Sequence, residues 1–181
     1  MALLKEGTGD ERTSSDFVNI TVSGHGPSIV LFPAQCHAEI SAYDSGVELT
    51  ISAAGIANKV QITTFDTNGA SYGMTPDHTN DHITVDKAGK YLCTLSLSAE
   101  SAGGGAAEYG FSIWKNNGAT LFENCHTHRK LAGGTGDVGS LSISGIIDLA
   151  VSDTIELWVY NEDGTQNIVI DDVTLSLTIL L

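Results

Sequence analysis

The chain has 181 residues, and 22 Asp and Glu against 8 Lys and Arg leave a formal net charge of −14. Phosphate backbones and anionic headgroups are held mainly through clustered Lys and Arg, so neither a nucleic acid nor a membrane surface is expected as a partner. The length suits one domain with an appendage, and 20 glycines against 3 prolines suit a β-rich chain with tight turns rather than long helices.

In chain order, residues 5–16 (KEGTGDERTSSD) include no apolar side chain. Such a segment cannot offset its ordering entropy by burial and is expected to be flexible on its own. Two short apolar pieces follow, 17–22 (FVNITV) and 29–32 (IVLF), around a Gly- and Pro-containing turn at 23–27. They read as strand-like anchors of an N-terminal arm over 1–33, with Phe17, Ile20, Val22, Ile29, Leu31 and Phe32 as its apolar contacts. Fully extended, that arm reaches up to roughly 110 Å at about 3.3 Å per residue, enough to cross a neighbouring subunit. No run of 18 apolar residues occurs, and the first residues lack the apolar core of a secretory signal, so synthesis in a cytoplasm is expected.

From residue 34 to 181 the pattern has period two, the mark of strands with one buried face. Val47, Leu49 and Ile51 alternate with polar residues, as do Val60 and Ile62. Tyr91, Cys93, Leu95 and Leu97 share a face, and so do Leu141, Ile143, Ile147, Leu149 and Val151. Ile155, Leu157 and Val159 oppose Glu156, Trp158 and Tyr160. The last run is the clearest: Val173, Leu175, Leu177, Ile179 and Leu181 share one face, which places the final strand inside a sheet rather than at its rim. Asn68-Gly69, Asn117-Gly118 and Asp163-Gly164 are hairpin-type pairs, and Gly-rich stretches lie at 103–105 and 133–139. Eight or more short strands so punctuated predict an all-β antiparallel fold, a β-sandwich or a jelly roll. Cys36, Cys93 and Cys125, odd in number and irregularly spaced, are expected to be thiols, with Cys93 in the core.

The order of motifs resembles the C1q/TNF-like jelly-roll superfamily over about 34–181. The resemblance rests on 83–95 (ITVDKAGKYLCTL), similar to a strand, Gly-x-Tyr, strand element, and on 111–118 (FSIWKNNG), similar to an exposed hairpin ending in Asn-Gly. It continues through 142–149 (SISGIIDL), 152–159 (SDTIELWV) and the closing 175–181 (LSLTILL). Ser152 departs from it, standing where the family prefers Gly, and no Gly-X-Y stalk precedes the domain. The resemblance implies a homotrimer associating through one sheet. Phe65, Phe111, Trp158 and Tyr160 offer aromatic area for such a contact, the plainer alternative being that they fill the core of one chain.

Trimers of this type with an acidic, Gly/Ser/Thr-rich character and an arm resemble bacteriophage virion proteins. That resemblance implies a capsid decoration (cement) protein on the capsid exterior, anchored to the major capsid protein by the N-terminal arm. The alternative it implies is the receptor- or glycan-binding tip of a tail fibre or spike.

Signs of catalysis are weak, and no enzyme is expected. A Ser or Cys nucleophile needs a positioned His and a third orienting group. Cys125 and His126 are adjacent, so on a strand they point to opposite faces. His126 and His128 would face one side and suit two metal ligands, but a solvated strand is the plainer reading, and no metal or other cofactor is expected. His78 and His82 lie among Asp77 and Asp81 without a known metal spacing. The G-x-G-x-x-G at 134–139 precedes a strand rather than a helix, which excludes a dinucleotide site. Residues 161–167 with Asp171 and Asp172 could bind calcium or form a charged turn, and they match no EF-hand loop.

Overall fold

A computed structural model describes residues 18–20, 28–30, 35–134 and 136–180. The chain divides into two units, Met1–Ala34 and Gln35–Leu181. In the first, β1 (Val18–Ile20) and β2 (Ser28–Val30) pair antiparallel, with Ile20 opposite Ser28 and Ile29 opposite Asn19. The two apolar pieces thus form a hairpin with each other, which takes both strands out of any fully extended reach. Phe17, Val22, Leu31 and Phe32 lie outside the described residues.

The second unit holds β3 (His37–Ala42), β4 (Val47–Leu49), β5 (Val60–Gln61), β6 (Thr67–Asn68), β7 (Met74–Asp77) and β8 (His82–Val85). Then come β9 (Gly89–Ser101), β10 (Ala107–Lys115), β11 (Thr120–Leu131), β12 (Gly139–Leu149), β13 (Thr154–Asn161) and β14 (Ile168–Leu180). One sheet runs β12-β9-β14-β3-β6, with β4 also on β14, and the other runs β11-β10-β13-β8-β7, with β5 also on β13. Every strand pairing is antiparallel. One 3₁₀ turn at Ile56–Asn58 is the only helical element among the described residues.

Alternation places the core. Tyr91, Cys93, Leu95 and Leu97 of β9, with Val173, Leu175 and Leu177 of β14, turn inward from the first sheet. They meet Tyr109, Phe111 and Ile113 of β10 and Ile155, Leu157 and Val159 of β13 from the second, all buried. Each such fully buried aliphatic side chain contributes about 1.5–3 kcal/mol. β14 lies between β9 and β3, an interior strand as its pattern implies. All three cysteines are buried free thiols, and Cys93 and Cys125 face each other across the sandwich closely enough to share a hydrogen bond.

Within the second unit only β7–β8 and β10–β11 are hairpins of consecutive strands in one sheet; from β8 onward every other connection crosses between sheets. Asn116, Asn117 and Gly118 turn the β10–β11 hairpin with φ of 57°, 58° and 69°, as the Asn-Gly pair predicts. Asp163-Gly164 does not close a hairpin, because β13 and β14 belong to different sheets. Asn68-Gly69 is no hairpin turn either. Asn68 is in β6 opposite Ile40, and the Gly69 N–H donates to the Glu39 carbonyl. Val151 leaves the face expected of it and is exposed in the turn after β12.

Gly145 of β12 closes one side of the sandwich. A Cβ there would meet the Cys125 sulfur at 2.4 Å and the Asn124 carbonyl at 2.9 Å, so only glycine lets the two sheet edges approach this closely. Ser152 has φ 70°, a backbone conformation that favours glycine, which gives a physical reason for the departure noted at that position.

Candidate functional site

With the core filled by inward side chains, function falls to the two outward faces. On the first sheet, β9 presents Leu92, Thr94, Ser96 and Ser98. β12 adds Ser140, Ser142, Ser144 and Ile146, and β14 adds Thr174, Ser176 and Thr178. Ser96 stands opposite both Ser142 and Thr174, and Thr94 opposite Ser144 and Ser176. The row Ser142, Ser96 and Thr174 carries no charge, whereas carboxylates border it on β14: Ser176 donates to Glu39 of β3 at 3.0 Å and Ser98 to Asp172 at 2.7 Å. Charged groups flank the face: Lys90 pairs with Asp148 at 2.7 Å at one end, while Glu100, Asp171 and Asp172 lie at the other. There, burial and then the Glu100, Asp172 and Asp44 charges hold the Asp171 carboxyl above its usual range.

The outward face of the second sheet is different. Glu108, Gly110, Ser112 and Trp114 of β10 lie between His128 and His126 of β11 and Tyr160, Trp158 and Glu156 of β13. The register puts Gly110 between His128 and Tyr160. A Cβ on Gly110 would come 2.3 Å from the Tyr160 ring, so its absence lets the ring lie across β10 and bring its hydroxyl to the two histidines. His126 Nε2 is 2.9 Å from the Tyr160 hydroxyl and 3.0 Å from His128 Nε2, and His128 Nε2 is 3.4 Å from the same hydroxyl. On its other side, His128 Nδ1 is 3.3 Å from a Glu162 carboxylate oxygen and 3.5 Å from one of Glu108. Burial, and then the neighbouring His128, lowers the His126 pKa. Burial, followed by the Glu162 charge, pushes the Tyr160 hydroxyl up to about 12.

Further along the same face the Lys59 ammonium sits 3.9 Å from the Trp114 ring centre and 5.0 Å from that of Trp158, a cation–π arrangement. Glu156 beneath them is buried and accepts hydrogen bonds from the Asn117 and Gly118 N–H groups and the Thr154 hydroxyl. The carboxylate thereby fixes the β10–β11 turn.

The expected site residues divide accordingly. His126 and His128 do face one side together, joined by Tyr160. Phe65, Phe111 and Tyr160 are corrected as candidates for a subunit contact: each is buried within the single chain and has no area left to offer. Trp158 is half-buried beneath Lys59. Asp77 accepts from the Thr79 and Asn80 N–H groups, and Asp81 from that of Phe65, so these carboxylates hold backbone rather than ligands. Asn161 likewise caps its own turn, accepting from the N–H groups of Asp163 and Gly164. No group of three or more His, Cys, Asp or Glu is arranged to hold a metal among the described residues; at the histidine pair the third polar atom is a phenol. Glu108, Gly110 and Glu162 were not legible as partners, because strand pairing and a crossing loop bring them there from distant positions.

No protein-family model matches the chain, and no curated protein sequence matches it. Solved structures do. The structure of Eiger TNF from S. frugiperda is similar with a TM-score of 0.56 at 14% identity, over 81% of this chain and 93% of that one. A crystal structure of murine APRIL at pH 5.0 gives a TM-score of 0.48 at 10% identity, over 80% of this chain and 99% of that one. The fold of the second unit is a TNF-like jelly roll.

Proposed function

We propose that this chain is a non-enzymatic assembly module of a bacteriophage virion. In this reading it is a homotrimer that decorates and cements the capsid exterior, held to the major capsid protein by its N-terminal unit. The observation that carries the reading is the row of short, uncharged hydroxyl side chains across β12, β9 and β14, with Ser96 between Ser142 and Thr174 and Thr94 beside Ser144. On a chain of net charge −14, copies repel one another except where charge is absent. Short hydroxyl side chains permit close approach and hydrogen bonding between identical surfaces, so this face is the trimer contact. Of the aromatic residues expected at a subunit contact, Phe65 and Phe111 belong to the core, and Trp158 and Tyr160 lie on the other sheet.

Three N-terminal units on one trimer would gain avidity through effective concentration, which suits attachment to a repeating shell. The test combines light scattering of the full chain with co-sedimentation on capsids. A trimeric mass, and loss of co-sedimentation when residues 1–33 are deleted, are the expected outcomes; a monomer, or unchanged co-sedimentation, refutes the reading.

One observation favours a second reading, a glycan-binding tip of a tail fibre or spike. Trp114 and Trp158 lie side by side under Lys59, and flat indole surfaces suit sugar rings. Labelling virions against the protein separates the two, since decoration gives signal over the whole head and a tip gives signal at the tail end alone.

A further inference from the structure

The outward face of the β11-β10-β13 sheet brings two imidazole nitrogens and a phenol oxygen to one point. His126 Nε2, His128 Nε2 and the Tyr160 hydroxyl form a triangle with sides of 3.0, 2.9 and 3.4 Å. A neutral imidazole nitrogen either donates one hydrogen bond or accepts one, never both, so three mutual hydrogen bonds cannot form among these atoms. His126 Nε2 is within bonding distance of both others and can serve only one of them well.

On the other side of His128, the Glu162 and Glu108 carboxylates stand 3.3 and 3.5 Å from Nδ1, which favours the tautomer with the proton on that nitrogen and turns the Nε2 lone pair toward His126 and Tyr160, where it accepts from one of them until an ion takes that place. A carboxylate on the far nitrogen is also the arrangement that orients metal-binding histidines and raises their basicity. Gly110 leaves the space over β10 that the Tyr160 ring occupies, and His128, on the outermost strand of its sheet, is 36% exposed, so the triangle is reachable from solvent.

We propose that His126 Nε2 and His128 Nε2, with the Tyr160 hydroxyl as third contact, form a binding site for a divalent transition-metal ion of the zinc class. A point about 2.1 Å from all three atoms lies roughly 1 Å outside their plane, a three-point cap that leaves outward positions for water. Two imidazoles select zinc, nickel or copper over the oxygen-seeking calcium and magnesium. Tyr160, a neutral phenol, is the weakest of the three contacts and steers the ion rather than holding it. The site lies within one chain and does not depend on the proposed trimer.

The test uses the full chain, stripped with a chelator and titrated with zinc chloride by calorimetry at pH 7.5. One zinc ion per chain is expected. His126→Gln and His128→Gln should each weaken binding at least 100-fold, Glu162→Gln about 10-fold, and Tyr160→Phe less than either histidine change. Nitrogen NMR of the unmutated protein supplies a reading independent of any folding defect: zinc should shift the Nε2 resonances of these two histidines and not those of His37, His78 or His82. Absence of saturable uptake, zinc shifts confined to other histidines, or wild-type affinity in either histidine variant would overturn the proposal.

Discussion

The outward faces of the two sheets descend from the same alternation of inward and outward side chains, yet their chemistry diverges. On β12-β9-β14 the central outward positions are mostly Ser and Thr, with Leu92 and Ile146 beside them, over strands of 11 to 13 residues. On β11-β10-β13 they are His, Tyr, Trp and Glu, which reach sideways over a glycine and engage one another. On the hydroxyl face only Ser98 and Ser176 engage carboxylates of their own chain, at Asp172 and Glu39, and the short side chains between them leave the backbone close to any approaching surface. A face of long polar and aromatic groups completes most of its contacts at home and leaves a compact cluster able to take a small ion. The two proposals rest on this difference, self-association on one side of the sandwich and ligand chemistry on the other.

That assignment can be broken one face at a time. The largest effect is expected from Ser96→Glu, at the centre of the hydroxyl row, opposite Ser142 and Thr174. Like charges brought together at a contact cost several kcal/mol, so the trimer should fall apart to single chains in light scattering while the circular dichroism of the sandwich persists. His128→Gln, on the other face, should leave the mass unchanged. If Ser96→Glu stays trimeric, the contact lies elsewhere.

Next in size is Gly110→Val. Its side chain would occupy the space of the Tyr160 ring, and overpacking of this kind costs about 2–3 kcal/mol. Urea denaturation should register that loss, and zinc binding should fall with it, while the oligomeric mass is retained. Normal stability in this variant would show that the ring has another place to go.

The smallest effect is a pH dependence at Asp81, between β7 and β8 of the histidine-bearing sheet. Burial raises its carboxyl to about 6 from an ordinary 3.8. The folded state then holds the proton more tightly than the unfolded one, so this group's contribution makes stability fall as pH rises from about 4 to about 6 and stay lower above that window. Asp81→Asn keeps an oxygen for the Phe65 N–H and, as Asn, tolerates the φ of 55°. It should raise stability at pH 7.5 by about 1 kcal/mol, the full shift being discounted for solvent at the rim. The pH slope between 4 and 6 should flatten in thermal melts, and an unchanged slope would assign that dependence to other groups.

Strands β9 and β13 and the part of β14 from Val173 onward were legible in the sequence because each alternates without interruption, and a one-residue slip would expose every apolar side chain at once; the bulge between Ile170 and Asp172 breaks the phase before that part. The His126 and His128 pairing was legible for the same reason, two residues on one strand facing one side. Asp163-Gly164 and the aromatic residues misled because their local signals say nothing about neighbours. An Asp-Gly turn looks the same whether the chain returns to its own sheet or crosses to the other, and an aromatic on an alternating strand looks the same whether its ring meets solvent, a partner or a facing sheet. Tyr160 shows this most plainly: its position alternates outward, but the gap at Gly110 lets the ring fold flat and become buried.

By itself the sequence determined that the chain is all-β and acidic, and which apolar residues of the long strands β9, β13 and β14 face the core. Those properties are carried by composition and by neighbours two residues apart. Tertiary structure alone decided which strands adjoin, that Ser142, Ser96 and Thr174 line up as one row of hydroxyls, and that Glu108, Gly110, His126, His128, Tyr160 and Glu162 meet. Those outcomes depend on antiparallel register and sheet-to-sheet crossings between residues tens of positions apart, for which local alternation carries no signal.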